Sequence, residues 1–231
     1  MKRLLPLLAA LGACAAPADV TTQPIPTSQY ELRPLEGWTV RVNRRLLTEQ
    51  APLGAEALRV LADKLHEIAR VVPGPKCDEL RKVPIWLGVD DGPNDRAQYH
   101  PNPDWLAKHG LNPEKAKGVE IGNAARFLKT SLDQPSMVLH ELAHAYHDRV
   151  LGFSHAGLQE AYREAKKGGT YESVLRVGGS KDRHYALTDP QEYFAEGTEA
   201  FFGTNDFYPF VRTELRIHDP KLYRLLEEIW K

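Results

Sequence analysis

Two histidines four residues apart, in the segment His140-Glu141-Leu142-Ala143-His144, place the strongest constraint on how this chain folds. On a helix, positions four apart lie on one face, so two imidazoles there can share one tetrahedral zinc ion. The apolar residues Met137-Val138-Leu139 lead into the segment, and neither glycine nor proline interrupts residues 140–150. We therefore predict a helix from about Gln134 to Val150. The same helix is compatible with two unrelated surface histidines.

A catalytic zinc site needs a third protein ligand. Only two cysteines exist, Cys14 and Cys77, so any metal has to be held by histidines and carboxylates. A metzincin would place its third histidine at position 150, which is Val150 here. His147 shares the face of the pair but lies too close along the helix to complete a tetrahedron. We predict that it lies behind the ligands or at the surface.

A second helix with three glutamates is predicted downstream. Asp189-Pro190 is a helix-start signal, because Asp caps well and Pro suits the first turn. Such a helix carries Glu192, Glu196 and Glu199 on one face among Phe and Ala residues, which calls for nearby cations. Glu192 could instead close a capping box with Asp189. We favour a ligand, because Asp189 alone would cap adequately.

The two segments together resemble the gluzincin metallopeptidases. The likeness extends to the catalytic domain of anthrax lethal factor and to the Mlc titration factor A peptidases. It covers roughly residues 119–204 and lies in the HELAH segment and in residues 189–196, Asp-Pro-Gln-Glu-Tyr-Phe-Ala-Glu. The resemblance implies a set of zinc-binding side chains, Zn2+ as the cofactor and a zincin-like fold.

The resemblance also implies a role for individual residues. It makes zinc ligands of His140, His144 and Glu192, and a general base of Glu141. Tyr185, seven residues before Glu192, would assist at the reaction centre, either by donating a hydrogen bond to the developing oxyanion or by helping to protonate the leaving group. Glu196, one turn after Glu192, would accept a hydrogen bond from a ligand histidine.

Other residues near these motifs leave alternatives open. Gly203-Thr204-Asn205-Asp206 resembles the Gly-Thr-x-Asp segment of aspzincins, so Asp206 is a second candidate for the third ligand. In gluzincins an edge strand upstream of the histidines binds the substrate backbone, and Gly118 to Asn123 is either that strand or an ordinary sheet strand. We expect His184 to be an exposed loop residue, and His100 and Trp105 to pack structurally rather than line a pocket.

The order of predicted elements indicates an α+β fold. Alternation predicts a strand at Trp38 to Val42, and short apolar runs predict strands at Val83 to Val89 and Val119 to Ile121. Leu53 to Val72 has the spacing of an amphipathic helix. Asp219-Pro220 starts a final helix. By the resemblance, residues 37–231 form one metallopeptidase domain with a small N-terminal sheet, the HExxH helix and a helical C-terminal part.

The first residues are typical of an export signal. Lys2 and Arg3 precede an apolar run that is followed by small residues, which predicts a signal peptide over residues 1–15. The segment before Cys14 also resembles a lipobox, which would make Cys14 a lipidated membrane attachment point. Proline-rich residues 16–36 are predicted to be an extended tether. We therefore expect an exported protein, either a cell-envelope lipoprotein or a secreted or periplasmic one.

The charge balance excludes one large class of partners. The formal net charge is −1 and the sequence has no long basic run, so it lacks the cluster of positive charges that is typical of nucleic-acid binding. The expected partner is a peptide or protein substrate, hydrolysed with a zinc-activated water and a glutamate base. Two alternatives stay open: a surface-tethered peptide-binding protein with a structural metal site, and a zinc amidase acting on non-protein amides.

Overall fold

The computed structural model describes residues 24–91 and 96–231, which form a mixed α+β fold, as predicted. The predicted signal peptide and Cys14 lie outside the described residues. The strands of the described part are β1 (Tyr30–Leu35), β2 (Trp38–Asn43), β3 (Ile85–Leu87), β4 (Ala97–Tyr99), β5 (Val119–Ile121), β6 (Val174–Leu175) and β7 (Lys181–Asp182).

Five of these strands form one sheet in the order β1-β2-β3-β5-β4. The strands β2, β3 and β5 run parallel, whereas β1 and β4 pair antiparallel with their neighbours at the two edges. Of the two interpretations of residues Gly118 to Asn123, the structure supports the ordinary sheet strand and not the edge strand. Its strand β5 lies between β3 and β4, and β4 is the edge. Strand order depends on pairings between distant segments, which a local pattern does not reveal.

The tether predicted over residues 16–36 is wrong at its C-terminal end. Residues 30–35 form β1, which pairs with β2 from Tyr30↔Asn43 to Leu35↔Trp38. Pro34 does not prevent this pairing, because an edge strand tolerates the missing N–H. The strand predicted at Val83 to Val89 is confirmed at its centre only, as β3.

Helices make up more of the described chain than strands do. In the described residues they are α1 (Ala51–Val71), α2 (Gly74–Arg81), α3 (Pro103–Lys108), α4 (Ala124–Asp133), α5 (Met137–Tyr146), α6 (Ala156–Gly168), α7 (Pro190–Phe202), α8 (Arg212–His218) and α9 (Pro220–Ile229). A π-helical turn, His147–Leu151, continues α5, so the helix predicted around HELAH is confirmed with this change of geometry. No helix in the described part is long and apolar enough to cross a membrane.

Two helix starts follow the predicted capping chemistry. The carboxylate of Asp189 accepts hydrogen bonds from the main-chain N–H groups of Gln191 and Glu192, both at 2.9 Å. Asp219 caps α9 in the same way through the N–H of Leu222, also at 2.9 Å. The start of α7 is therefore fixed by a local side-chain contact.

Candidate metal centre

Helices α5 and α7 pack against each other and bring three donor atoms together. Nε2 of His140 lies 3.0 Å from Nε2 of His144, and Oε2 of Glu192 lies 3.0 Å and 3.3 Å from these two nitrogens. A tetrahedral zinc ion with bonds of about 2.0–2.1 Å holds its ligand atoms about 3.3 Å apart. The three atoms therefore have the spacing of three corners of such a site, and the donor set fits zinc.

The structure separates the two interpretations of Glu192. Asp189 caps α7 with its own carboxylate, whereas Oε2 of Glu192 is turned toward the two histidines. Asp206, the second candidate for the third ligand, does not join this group. Its Oδ2 lies 3.5 Å from Nε2 of Gln134 and 3.6 Å from Nη2 of Arg176. The geometry thus brings Glu192 and not Asp206 to the histidines.

Glu199, rather than Glu196, forms the hydrogen bond with the second ring nitrogen of His140. Nδ1 of His140 lies 2.6 Å from Oε1 of Glu199, whereas Oε1 of Glu196 is 3.7 Å away. Glu196 instead accepts from the side-chain amide of Asn205 at 2.8 Å. The role predicted for Glu196 was therefore wrong by one helical turn. When a metal binds Nε2 of His140, the remaining ring proton is on Nδ1, where Glu199 can accept it.

The electrostatics of this group favour a positive charge. Burial lowers the pKa of His140, but hydrogen bonds with Glu192 and Glu199 outweigh burial and hold that pKa well above its usual range. Burial would raise the pKa of Glu192, yet its hydrogen bonds with His140 and His144 bring it far below the usual value. An anionic carboxylate that meets two imidazole nitrogens is the environment that a divalent cation prefers.

The three donors face a cleft with a volume of about 830 Å³. Glu141 and Tyr185 line the same cleft, so the structure places both predicted catalytic residues beside the candidate ligands. Tyr185 is 49% exposed, and partial burial together with the charge of Glu192 raises its pKa. Its phenol therefore stays protonated at neutral pH and can donate a hydrogen bond into the cleft.

Sequence reasoning missed the contribution of the edge strand. The main-chain N–H of Tyr99, in β4, donates to Oε2 of Glu141 at 2.7 Å. A backbone donor has no sequence signature of its own. Only the strand order, with β4 outermost and packed on α5, would have identified it.

Two histidines for which a surface position was predicted, for His147 as one of two alternatives, are buried. His147 is fully enclosed between Phe153 and Phe194, and neither of its ring nitrogens has a hydrogen-bond partner. His184 was expected in solvent but is 2% exposed, and its Nδ1 accepts from the N–H of Ala186 at 3.1 Å. The local residue pattern does not reveal such burial, because the side chains are covered by α7 and by loops from other parts of the chain.

His100 and Trp105 agree with the packing interpretation, since neither lines the cleft. His100 is buried with its Nε2 at 2.6 Å from Oε2 of Glu120. Trp105 is partly exposed and stacks on His109 with ring centroids 4.0 Å apart.

The burial of His147 predicts a specific pH dependence of stability. Burial lowers its pKa from the ordinary 6.5 to about 4. Between these values the unfolded chain binds a proton that the native state does not, so the unfolding free energy falls as pH falls through this window. The loss is on the order of 3 kcal/mol. A His147→Leu variant should lack this part of the acid sensitivity.

Urea unfolding of the zinc-free protein at pH 7 and pH 4 measures the effect. His66→Leu is the matched control, because the side chain of His66 is 68% exposed. An equal fall in the unfolding free energy for wild type and His147→Leu would contradict the assignment.

No family model matches the sequence, and neither a curated protein nor a solved structure matches it. The gluzincin resemblance therefore rests on the two sequence motifs alone.

Proposed function

We propose that this protein is a zinc metallopeptidase of the gluzincin type, with a zincin-like fold, and that it is exported. The observation that carries the proposal is the convergence of His140 Nε2, His144 Nε2 and Glu192 Oε2 at 3.0–3.3 Å beside Glu141. In the described residues, no fourth His, Cys, Asp or Glu side chain joins these three, while His140 also belongs to a second group of possible ligands with Glu196 and Glu199. Three ligands facing an open cleft are typical of catalytic zinc, whereas structural sites are closed by a fourth ligand.

Each residue of the site has a definite chemical task in peptide hydrolysis. His140, His144 and Glu192 would hold zinc, which supplies a Lewis acid for the carbonyl oxygen and lowers the pKa of water. Glu141 accepts a proton from the attacking water while the water oxygen bonds to the carbonyl carbon. The same carboxyl group then protonates the leaving nitrogen as the C–N bond breaks. The phenol of Tyr185 donates a hydrogen bond to the oxyanion.

The shape of the cleft supports a peptide as the substrate. The edge strand β4 contributes Gln98 and Tyr99 to one wall, and Asp182 and Arg183 of the β6–β7 region lie among the other lining residues. The outermost strand of a sheet is where an extended chain can be added as a further strand. The substrate strand that the resemblance implies is thus assigned to β4 instead of residues 118–123.

Removal and return of the metal test this function. Protein treated with a chelator is expected to leave a library of peptides from denatured proteins uncut, and one equivalent of zinc should restore cleavage. Metal content measured on the same samples links activity to stoichiometry. Cleavage that persists in metal-free protein, or a zinc-loaded protein that cuts no peptide, would contradict the proposal. In the second case, hydrolysis of non-protein amides would be tested next.

A further inference from the structure

Tyr99 connects the edge strand to the HELAH helix at two points. Its main-chain N–H donates to Glu141 and its phenol donates to Oδ2 of Asp148, each at 2.7 Å. Glu141 and Asp148 lie seven residues apart, or about 10 Å along a helix. We propose that Tyr99 is a positioning residue for Glu141, and this inference rests on the proposed function.

The hydrogen bond between the Tyr99 phenol and Asp148 is partly shielded from solvent. Asp148 has a side chain 15% exposed, and it also accepts from Nζ of Lys117 at 2.5 Å. Burial and the hydrogen bond to Asp148 raise the pKa of Tyr99 well above its usual range. The phenol therefore stays protonated at neutral pH and remains a donor. The contact fixes the end of β4 to the turn that follows α5.

The opposite side of β4 is anchored as well. His100, the next residue, contacts Glu120 of β5 at 2.6 Å, and both side chains are buried. Lys115 also donates to Glu120, and burial of this group excludes water from it. The strand is thus held between β5 and α5, so the N–H of Tyr99 has a fixed position relative to the helix.

A fixed donor determines what Glu141 can do. The N–H engages Oε2, which leaves Oε1 for the cleft and restricts a side chain that otherwise samples many rotamers. A base held in this way starts each reaction correctly oriented, and small losses of orientation reduce rates strongly. Glu141 is the group that reacts, whereas Tyr99 acts through it.

Tyr99→Phe and Asp148→Ala test the inference, because each removes the hydrogen bond between the phenol and the carboxylate and both keep the main-chain donor of Tyr99. In zinc-loaded protein we expect kcat to fall about 10-fold in Tyr99→Phe with KM and zinc content unchanged. Amide hydrogen exchange at Tyr99, followed by NMR, should be faster in both variants. The kcat of the double variant should be no lower than that of the slower single variant, because both changes remove the same contact. Tyr223→Phe, on α9 away from the cleft, is the matched control.

The inference would be overturned by unchanged exchange at Tyr99 in both variants. It would equally be overturned if exchange rose while kcat stayed at the wild-type value, since the contact would then be structural only. Additive losses in the double variant would also contradict a shared contact. The exchange measurement needs no turnover, so it tests the contact even if the protein proves not to be a peptidase.

Discussion

Replacing Glu141 with Gln is expected to lower kcat by roughly 10²- to 10⁴-fold, the usual contribution of a positioned general base. Gln has the same shape and can still accept the N–H of Tyr99 that Glu141 accepts at 2.7 Å. It cannot take a proton from water. Glu141 is not one of the three grouped donors, so zinc affinity should change little.

Steady-state kinetics on one peptide selected from the library, with zinc content measured in parallel, test this expectation. The control is Glu228→Gln, which removes an exposed carboxylate from α9. A Glu141→Gln variant that turns over at the wild-type rate would rule out the glutamate-base mechanism. A variant that loses zinc would show that Glu141 acts on the metal site itself.

Replacing Glu192 with Gln should weaken zinc binding by more than about 100-fold, beyond the 10- to 100-fold typical of a lost supporting contact. The carboxylate oxygen of Glu192 lies within 3.3 Å of both histidine nitrogens, and a neutral amide oxygen is a poorer ligand for zinc. Asp206→Asn is the matched control, because Asp206 is a second carboxylate lining the cleft and contacts neither of the two histidines.

Competition with a chelator of known affinity measures both variants from the metal-free state. We expect Asp206→Asn to bind zinc within a few-fold of wild type. The reverse order, with Asp206→Asn losing zinc and Glu192→Gln keeping it, would show that the aspartate is the third ligand and that zinc rearranges the cleft.

The features that sequence reasoning predicted correctly depend on local chemistry. The spacing of His140 and His144 fixes a common helix face, and Asp189 fixes the start of α7 through its own carboxylate. The assignment of Glu192 to the histidines came from the gluzincin resemblance of these two segments, with Asp206 kept as the second candidate. Capping and helical periodicity extend over a few residues, so they can be recognised in a single sequence.

The features that it missed depend on the packing of distant segments. The choice of Glu199 over Glu196 behind His140 follows from how α7 is rotated against α5, since both glutamates share one helix face. The position of β5 inside the sheet and the burial of His147 have the same origin. Side-chain pattern alone does not determine which elements become neighbours.

Anomalous diffraction at the zinc absorption edge, from crystals of the zinc-loaded protein, is the most direct test of the central claim. We predict one strong peak about 2.0–2.2 Å from Nε2 of His140, Nε2 of His144 and a carboxylate oxygen of Glu192. A peak held by Glu196, Glu199 or Asp206 in place of Glu192, or no peak at the two histidines, would contradict it.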